Sequence, residues 1–186
     1  MAKIDDLLHN YARQVAMPWD RKIAGAQRVW FAVYDKSDER RVRARTADFE
    51  LRTKEAGHGW VLHDCTETFA QWLAGRKYRD SYFENPEHLE AALGNFREAV
   101  VQQLQVALTH ESVNEDTVVA VQGIACLFGF VRVSEVVNAV EASIRGRLLV
   151  FFPGEYANNN YRLLDARDGW NYLAIPITPY QGANVE

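Results

Sequence analysis

One short apolar run constrains the fold of this chain more than any other feature. Residues 148–152 read Leu-Leu-Val-Phe-Phe and are followed directly by Pro153 and Gly154. Five residues are too few to cross a membrane, and a strand that is apolar at every position is typical of parallel sheets, whose two faces are both covered. The run predicts a buried parallel strand, and the loop after it is expected at the carboxyl edge of the sheet, where binding sites in such folds lie.

Strand-like and helix-like patterns alternate along the chain. Further β-rich runs occupy residues 29–34, 59–64 and 117–121, and helical periodicity of apolar residues fills the stretches between them. This alternation predicts an α/β fold, a three-layer sandwich with a mostly parallel central sheet, because parallel strands need crossover helices that cover both faces. With 186 residues the chain is expected to form a single domain, 1–186.

Most predicted helices have recognisable starts. A charged helix is predicted over 38–56, and others follow the capping residues Thr66 and Ser134. The strongest pattern begins at Pro86 and places six apolar side chains on one face. These are Leu89, Leu93, Phe96, Val100, Leu104 and Leu108.

Two segments are predicted to be irregular or to lie at an edge of the sheet. The aromatic stretch 77–85 lacks clear periodicity and is expected to be a loop. Residues 161–164 and 172–177, joined across Asp168 and Gly169, are expected to pair as a C-terminal hairpin or as edge strands of the sheet.

The charge, cysteine content and apolar runs of the chain argue against several classes of partner and site. A formal net charge of −4 argues against wholesale attraction to nucleic acid or anionic lipid, so a protein or a small molecule is the favoured partner. Two distant cysteines, Cys65 and Cys126, suggest neither disulfides nor a thiolate metal site, and the histidines lack metal-ligand spacing. Because the longest apolar run, 118–133, contains Gln122 and Arg132, no membrane span is expected, and a cytoplasmic location is favoured.

Three acids at strand ends form a possible ligand edge. Asp35 and Asp64 follow predicted strands directly, and Glu155 lies just after Pro153-Gly154. Carboxylates at the carboxyl edge of a parallel sheet can hold a hard cation or a nucleotide. Acids in front of helices also cap them, however, and neither a metal nor a cofactor is predicted.

The glycine-containing segment 118–129 occupies the place of a phosphate-binding loop. Such a loop needs a glycine followed by Lys and then Ser or Thr, whereas here Gly129 is followed by Phe130 and Val131. ATP hydrolysis is therefore not expected. A degenerate, P-loop-like nucleotide-binding regulator remains an alternative function.

Two further patterns have ordinary structural explanations. His63 and Cys65 could form an imidazole–thiol pair, but neighbours on one face of a strand seldom align for proton transfer, and burial of the cysteine is favoured. The cations of the charged helix could follow a phosphate backbone, yet interleaved acids suggest a solvated face held by ion pairs. A DNA- or RNA-binding accessory subunit stays as the second alternative. The cations are Arg40, Arg41, Arg43, Arg45, Arg52 and Lys54.

Residues of the types that dominate protein interfaces follow the buried strand and fill the aromatic stretch. Tyr, Trp and Arg carry much of the binding energy at interfaces, so these segments are the predicted contact surfaces. The alternative is that Trp170 and Tyr161 pack the hairpin onto the core. The predicted contact residues are Glu155, Tyr156, Tyr161, Arg162, Arg167, Asp168 and Trp170, with Tyr78, Tyr82 and Phe83.

Several segments resemble the BrxB family over nearly the whole chain. They are residues 25–35, 57–60, 128–134, 147–156 and 161–173, with Pro-Gly-Glu-Tyr at 153–156 and Asp-Gly-Trp-Asn at 168–171. BrxB proteins are components of bacterial BREX phage-defence systems, encoded beside an AAA-type ATPase, an adenine methyltransferase and the alkaline-phosphatase-like protein PglZ. The resemblance supplies no catalytic residues, and it implies a noncatalytic assembly protein that binds the PglZ-like protein or the ATPase.

Overall fold

The computed structural model describes residues 2–167 and 169–180. Its strands form one sheet, in which five parallel strands lie in the order β2-β3-β4-β1-β7, while β5 pairs with β4 and β6 with β5. The α/β fold and the mostly parallel sheet are thus confirmed. The strands are β1 (Val29–Tyr34), β2 (Gly59–Asp64), β3 (Thr117–Gln122), β4 (Arg147–Ala157), β5 (Asn160–Leu163), β6 (Trp170–Asn171) and β7 (Ile175–Ile177).

Helices cover both faces of the sheet. The first three pack on one face, and the fourth, sixth and seventh pack on the other. None of the helices in the described part of the chain has the length and hydropathy that a membrane span requires. The helices are α1 (Ala2–Ala16), α2 (Glu39–Ala44), α3 (Thr46–Glu55), α4 (Thr68–Ala74), α5 (Arg79–Glu84), α6 (Glu87–Thr109) and α7 (Val133–Val140).

The apolar run at 148–152 forms the buried centre of β4. It lies between β1 and β3, and residues 147–153 are all buried. Alternate side chains point to opposite faces, so Phe152 joins the core beneath α6 and α7, whereas Phe151 joins the core beneath α1 and α3. Each such side chain contributes about 1.5–3 kcal/mol on burial, which explains why the run has no polar position.

Three local predictions are wrong. The stretch 77–85 is not a loop, because Arg79–Glu84 form α5, which packs against α6. The predicted helix 38–56 breaks at Arg45, where the hydroxyl of Thr46 donates to the side-chain oxygen of Gln122 (3.0 Å) and ties the start of α3 to the sheet. The predicted caps are also wrong: Ser134 does not cap α7, which begins one residue earlier, and Thr66 does not cap α4, which begins at Thr68. Neither helix has a side-chain cap.

The C-terminal hairpin differs from the predicted pairing. The strand β5 pairs with the far end of β4 through a turn at Asn158 and Asn159, which both adopt positive φ, as asparagine does at low cost. The predicted partner segment, 172–177, does not pair with β5: Trp170–Asn171, just before it, form β6 beside β5, and Ile175–Ile177 form β7, an edge strand parallel to β1. This separation buries Ile177 completely beneath α1, which a simple hairpin would leave uncovered.

Candidate functional site

A groove of about 500 Å³ opens at the carboxyl ends of β3 and β4. One wall is the connection from β3 to α7, residues 128–134, and the other is the hairpin of β5 and β6 with its connecting loop. We call it the carboxyl-edge groove. Its second wall comprises Phe152, Tyr161, Leu163, Ala166, Arg167, Gly169 and Trp170.

Aromatic contacts hold the hairpin wall of the groove in place. Tyr161 is 1% exposed, and its hydroxyl donates to the carbonyl of Ala174 (2.8 Å). The ring of Phe31 in β1 lies beneath it at 4.5 Å between centroids and also contacts Trp170 at 5.5 Å. Trp170 stacks on Tyr172 at 4.5 Å. Edge and offset ring contacts of this kind stabilise a fixed arrangement, so this wall is preformed.

The opposite wall, residues 128–134, is also held by a ring contact but is more exposed. The ring of Phe130 stacks on that of Phe69 in α4, with 4.1 Å between centroids. Phe128 is 43% exposed at the mouth of the groove. Because exposed aromatic rings often supply binding energy at interfaces, the wall is a candidate contact surface.

Two arginines at the rim of the groove form no ion pair with an acid of the described residues. The side chains of Arg132 and Arg167 are exposed, and neither has a hydrogen bond, ion pair or ring contact with any residue in the described ranges. The backbone N–H groups at the start of α7 add partial positive charge on the same wall, since the helix has no side-chain cap. The groove is therefore apolar at its base and positive at its rim.

The family comparison matches the part of the chain that forms both walls. The family model described as "BREX protein BrxB" matches residues 69–177, more than half of the 186 residues. The chain belongs to the BrxB family. It is accordingly a component of a BREX phage-defence system. Comparison with curated proteins and with solved structures gave no match.

The predicted contact residues that follow the buried run 148–152 of this BrxB chain fall into three groups. Tyr161, Arg167 and Trp170 line the groove, although Tyr161 is buried, as the packing alternative expected. Asp168 lies outside the described residues. The others are on the exposed β4–β5 hairpin, where Glu155 and Arg162 form an ion pair (3.6 Å) and the Tyr156 hydroxyl donates to Asn159 (3.0 Å).

The aromatic residues of α5 form a second exposed surface. Tyr78 and Phe83 are 63% and 71% exposed, whereas Tyr82 is half-buried. Aromatic side chains are enriched among the residues that supply binding energy at protein interfaces. No contact in the structure assigns them a role, so their part in binding stays a prediction.

Sequence reasoning missed Phe128, Phe130 and Arg132 as site residues. They follow β3 after a 3₁₀ helix at Ile124–Leu127. The available signal was an aromatic residue on each side of Gly129 with an arginine two positions later, all at the carboxyl end of a buried strand. This pattern can be recognised as part of a site only in the structure, where the β5–β6 hairpin lies opposite these residues across the groove.

The strand-end acids are engaged in local structure. The carboxylate of Asp35 accepts from the backbone and hydroxyl of Ser37, and Glu155 pairs with Arg162. Asp64 accepts from Arg43 Nη2 and from Gln122 Nε2, each at 2.8 Å. Across the described part of the chain, no group of three or more His, Cys, Asp or Glu side chains could hold a metal ion.

Asp64 should make the stability of the chain depend on acid pH. Partial burial opposes its ionisation, but hydrogen bonds from Thr66 and Gln122 and the charge of Arg43 outweigh this, so the pKa of Asp64 lies below its ordinary value. Its stabilising effect is therefore complete above about pH 4 and is lost as pH falls through the lower, folded-state pKa. We expect Asp64→Asn to have a lower urea midpoint than the wild type at pH 7. The difference should shrink below pH 4, and a difference independent of pH would contradict this role.

The P-loop-like segment does not offer an open cradle for phosphate. Gly123 adopts φ +77°, and a Cβ atom there would lie 2.8 Å from Oδ1 of Asp64. The carboxylate thus occupies the space in front of the glycine, where it would repel a phosphate. This geometry weighs against the nucleotide-binding alternative.

The His63–Cys65 pattern does not produce an activated thiol. Burial raises the pKa of Cys65 to about 12, and burial lowers the pKa of His63. His63 instead lines a second hollow of about 620 Å³, between β2 and α6. A thiol that stays protonated at neutral pH is a poor nucleophile, which agrees with a packing role.

Most cations of α2 and α3 are neutralised within the chain. Arg41, Arg43, Arg45, Arg52 and Lys54 each pair with a carboxylate. Paired guanidiniums are less available to phosphates, so this face gives little support to nucleic-acid binding.

Proposed function

We propose that this chain is a noncatalytic subunit that assembles other BREX proteins, binding the PglZ-like protein or the AAA-type ATPase through the carboxyl-edge groove. Family membership supports association with BREX components. One observation supports the choice of the carboxyl-edge groove as the binding surface. The groove lining combines exposed aromatic surface with two arginines and contains no His, Cys, Asp, Glu or Lys among the described residues.

A lining of that composition suits recognition better than turnover. General acid–base and nucleophilic catalysis need a titratable group within hydrogen-bond reach of the reacting atoms. Aromatic rings and guanidinium groups, by contrast, are the side chains that most often provide interface hot spots. The exposed rings of α5 are proposed as a secondary contact with the same assembly.

Co-purification of BREX proteins tests this proposal. A tagged chain co-expressed with the other proteins of its operon should retain the PglZ-like protein or the ATPase at micromolar concentration. Phe128→Ser should weaken that binding tenfold or more, as for an interface hot spot. Leu51→Ser is the matched control, because Leu51 is 52% exposed on α3, on the opposite face of the sheet.

Two results would contradict the proposal. One is that neither protein is retained by the wild-type chain. The other is that the purified chain alone turns over a substrate and loses that activity in a groove variant.

A further inference from the structure

The carboxyl-edge groove carries a charge opposite to that of the chain as a whole. The chain has 25 acidic and 21 basic residues, yet no acid lines the groove among the described residues. Several arginines elsewhere are neutralised at short range, as Arg97 is by Glu135 of α7 (3.0 Å). Arg132 and Arg167 have no such partner among the described residues, and both line a groove without an acid, so the groove is complementary to negative charge.

The base of the groove sets a second requirement on its occupant. Phe130 and Trp170 present partly exposed rings above the buried ring of Phe152, and most of the remaining lining is aliphatic or glycine. Burying apolar area here is favourable only if the occupant brings an apolar group of its own. A volume of about 500 Å³ is within the range of pockets that enclose a compact ligand.

We propose that the groove binds an acidic segment of a partner BREX protein. An aromatic or large aliphatic side chain of that segment rests on the ring surface, and carboxylates beside it pair with Arg132 and Arg167. The inference rests on the proposed function and specifies its partner chemistry. Guanidinium–carboxylate pairs at a partly enclosed rim give register and specificity, while the apolar anchor supplies most of the binding energy.

A nucleic acid fits these observations less well. Proteins that bind single strands use a basic groove that follows several phosphates, with rings spaced for successive bases. Here two cations flank one pocket, and Arg43 and Arg45, of the helices on the opposite face of the sheet, are paired with acids. An isolated acidic peptide segment matches the number and placement of the charges better.

The inference is tested by reversing the charges of Arg132 and Arg167 and then restoring binding with peptides of the opposite charge. Overlapping peptides covering the PglZ-like protein and the ATPase of the operon are screened on an array, and the strongest binder is measured by fluorescence anisotropy. The peptides bound should contain two or more Asp or Glu next to Phe, Trp, Tyr or Leu. Arg132→Glu with Arg167→Glu should weaken binding at least tenfold, and peptides with Lys in place of the acids should regain affinity for this double variant.

The matched control is Arg13→Glu with Arg40→Glu, which changes the net charge equally at exposed arginines of α1 and the start of α2. It should leave affinity unchanged. Bound peptides that are neutral or basic, or binding that the groove reversal does not alter, would overturn the inference. So would binding of a labelled oligo-dT probe that depends on Arg132 and Arg167. If the partners still co-purify with the chain in those cases, the proposed function stands and only the occupant is wrong.

Discussion

Gly154→Ala is expected to separate the β5–β6 hairpin from β4 and to destabilise the chain by about 3 kcal/mol. Gly154 lies opposite Leu163 in the β4–β5 ladder, and a Cβ atom there would sit 2.0 Å from the carbonyl oxygen of Arg162. No rotamer change can relieve a contact with backbone, so the strands must move apart. Tyr161 would then leave its position over Phe31, and one wall of the groove would be lost.

Urea denaturation and amide hydrogen exchange measure this result. The midpoint should fall, and the amides of residues 160–163 should lose protection first. Gly94→Ala is the matched control: Gly94 lies in α6 with nothing within 4 Å of the added methyl group, so it should stabilise the chain by about 0.5–1 kcal/mol. A Gly154→Ala variant with wild-type stability and an intact groove would show that the hairpin is not held in this register.

Phe31→Ala is expected to cost about 3–5 kcal/mol of unfolding free energy, a large part of the stability of a domain of this size. The side chain is completely buried and contacts the rings of Phe152, Tyr161 and Trp170. Its removal leaves a cavity directly beneath the groove. Partner binding should therefore weaken together with stability.

A variant on the other face of the sheet separates these two effects. Phe49 is also fully buried, but it packs on Tyr11 and Phe151, away from the groove. Phe49→Ala should lose a similar free energy in urea and yet retain partner affinity at low temperature. If Phe31→Ala fails to fold, Phe31→Leu provides the same comparison at lower cost. Equal loss of affinity in both variants would mean that the groove has no special dependence on Phe31.

Some helices and strands could be predicted because the pattern of apolar residues that defines them lies within one short segment. A strand with no polar position, such as 148–152, is stable only inside a covered sheet. The apolar stripe of α6 likewise predicts which side is buried, and Phe96, Val100, Leu104 and Leu108 are all buried. The errors occur where the local signal is weak: α5 has no apolar stripe and is supported by its contact with α6.

The candidate site could be predicted only in part, for a related reason. The position of Arg167 and Trp170 after a buried strand predicted that they lie at the carboxyl edge. Tyr161 was predicted to be either a contact or a core residue, and it is buried. Phe128, Phe130 and Arg132 were missed because nothing near them in sequence indicates what lies opposite.

The fold class, the buried strand and the membership in a defence-system family could all be predicted from the amino-acid sequence, since each depends on patterns read within single segments. Two features follow only from the three-dimensional arrangement: residues 128–134 lie across one groove from residues 161–167 and 169–170, and β7 lies beside β1 rather than in the hairpin. Contacts between distant segments follow from how crossovers order the strands, and that order results from burying both faces of the whole sheet at once.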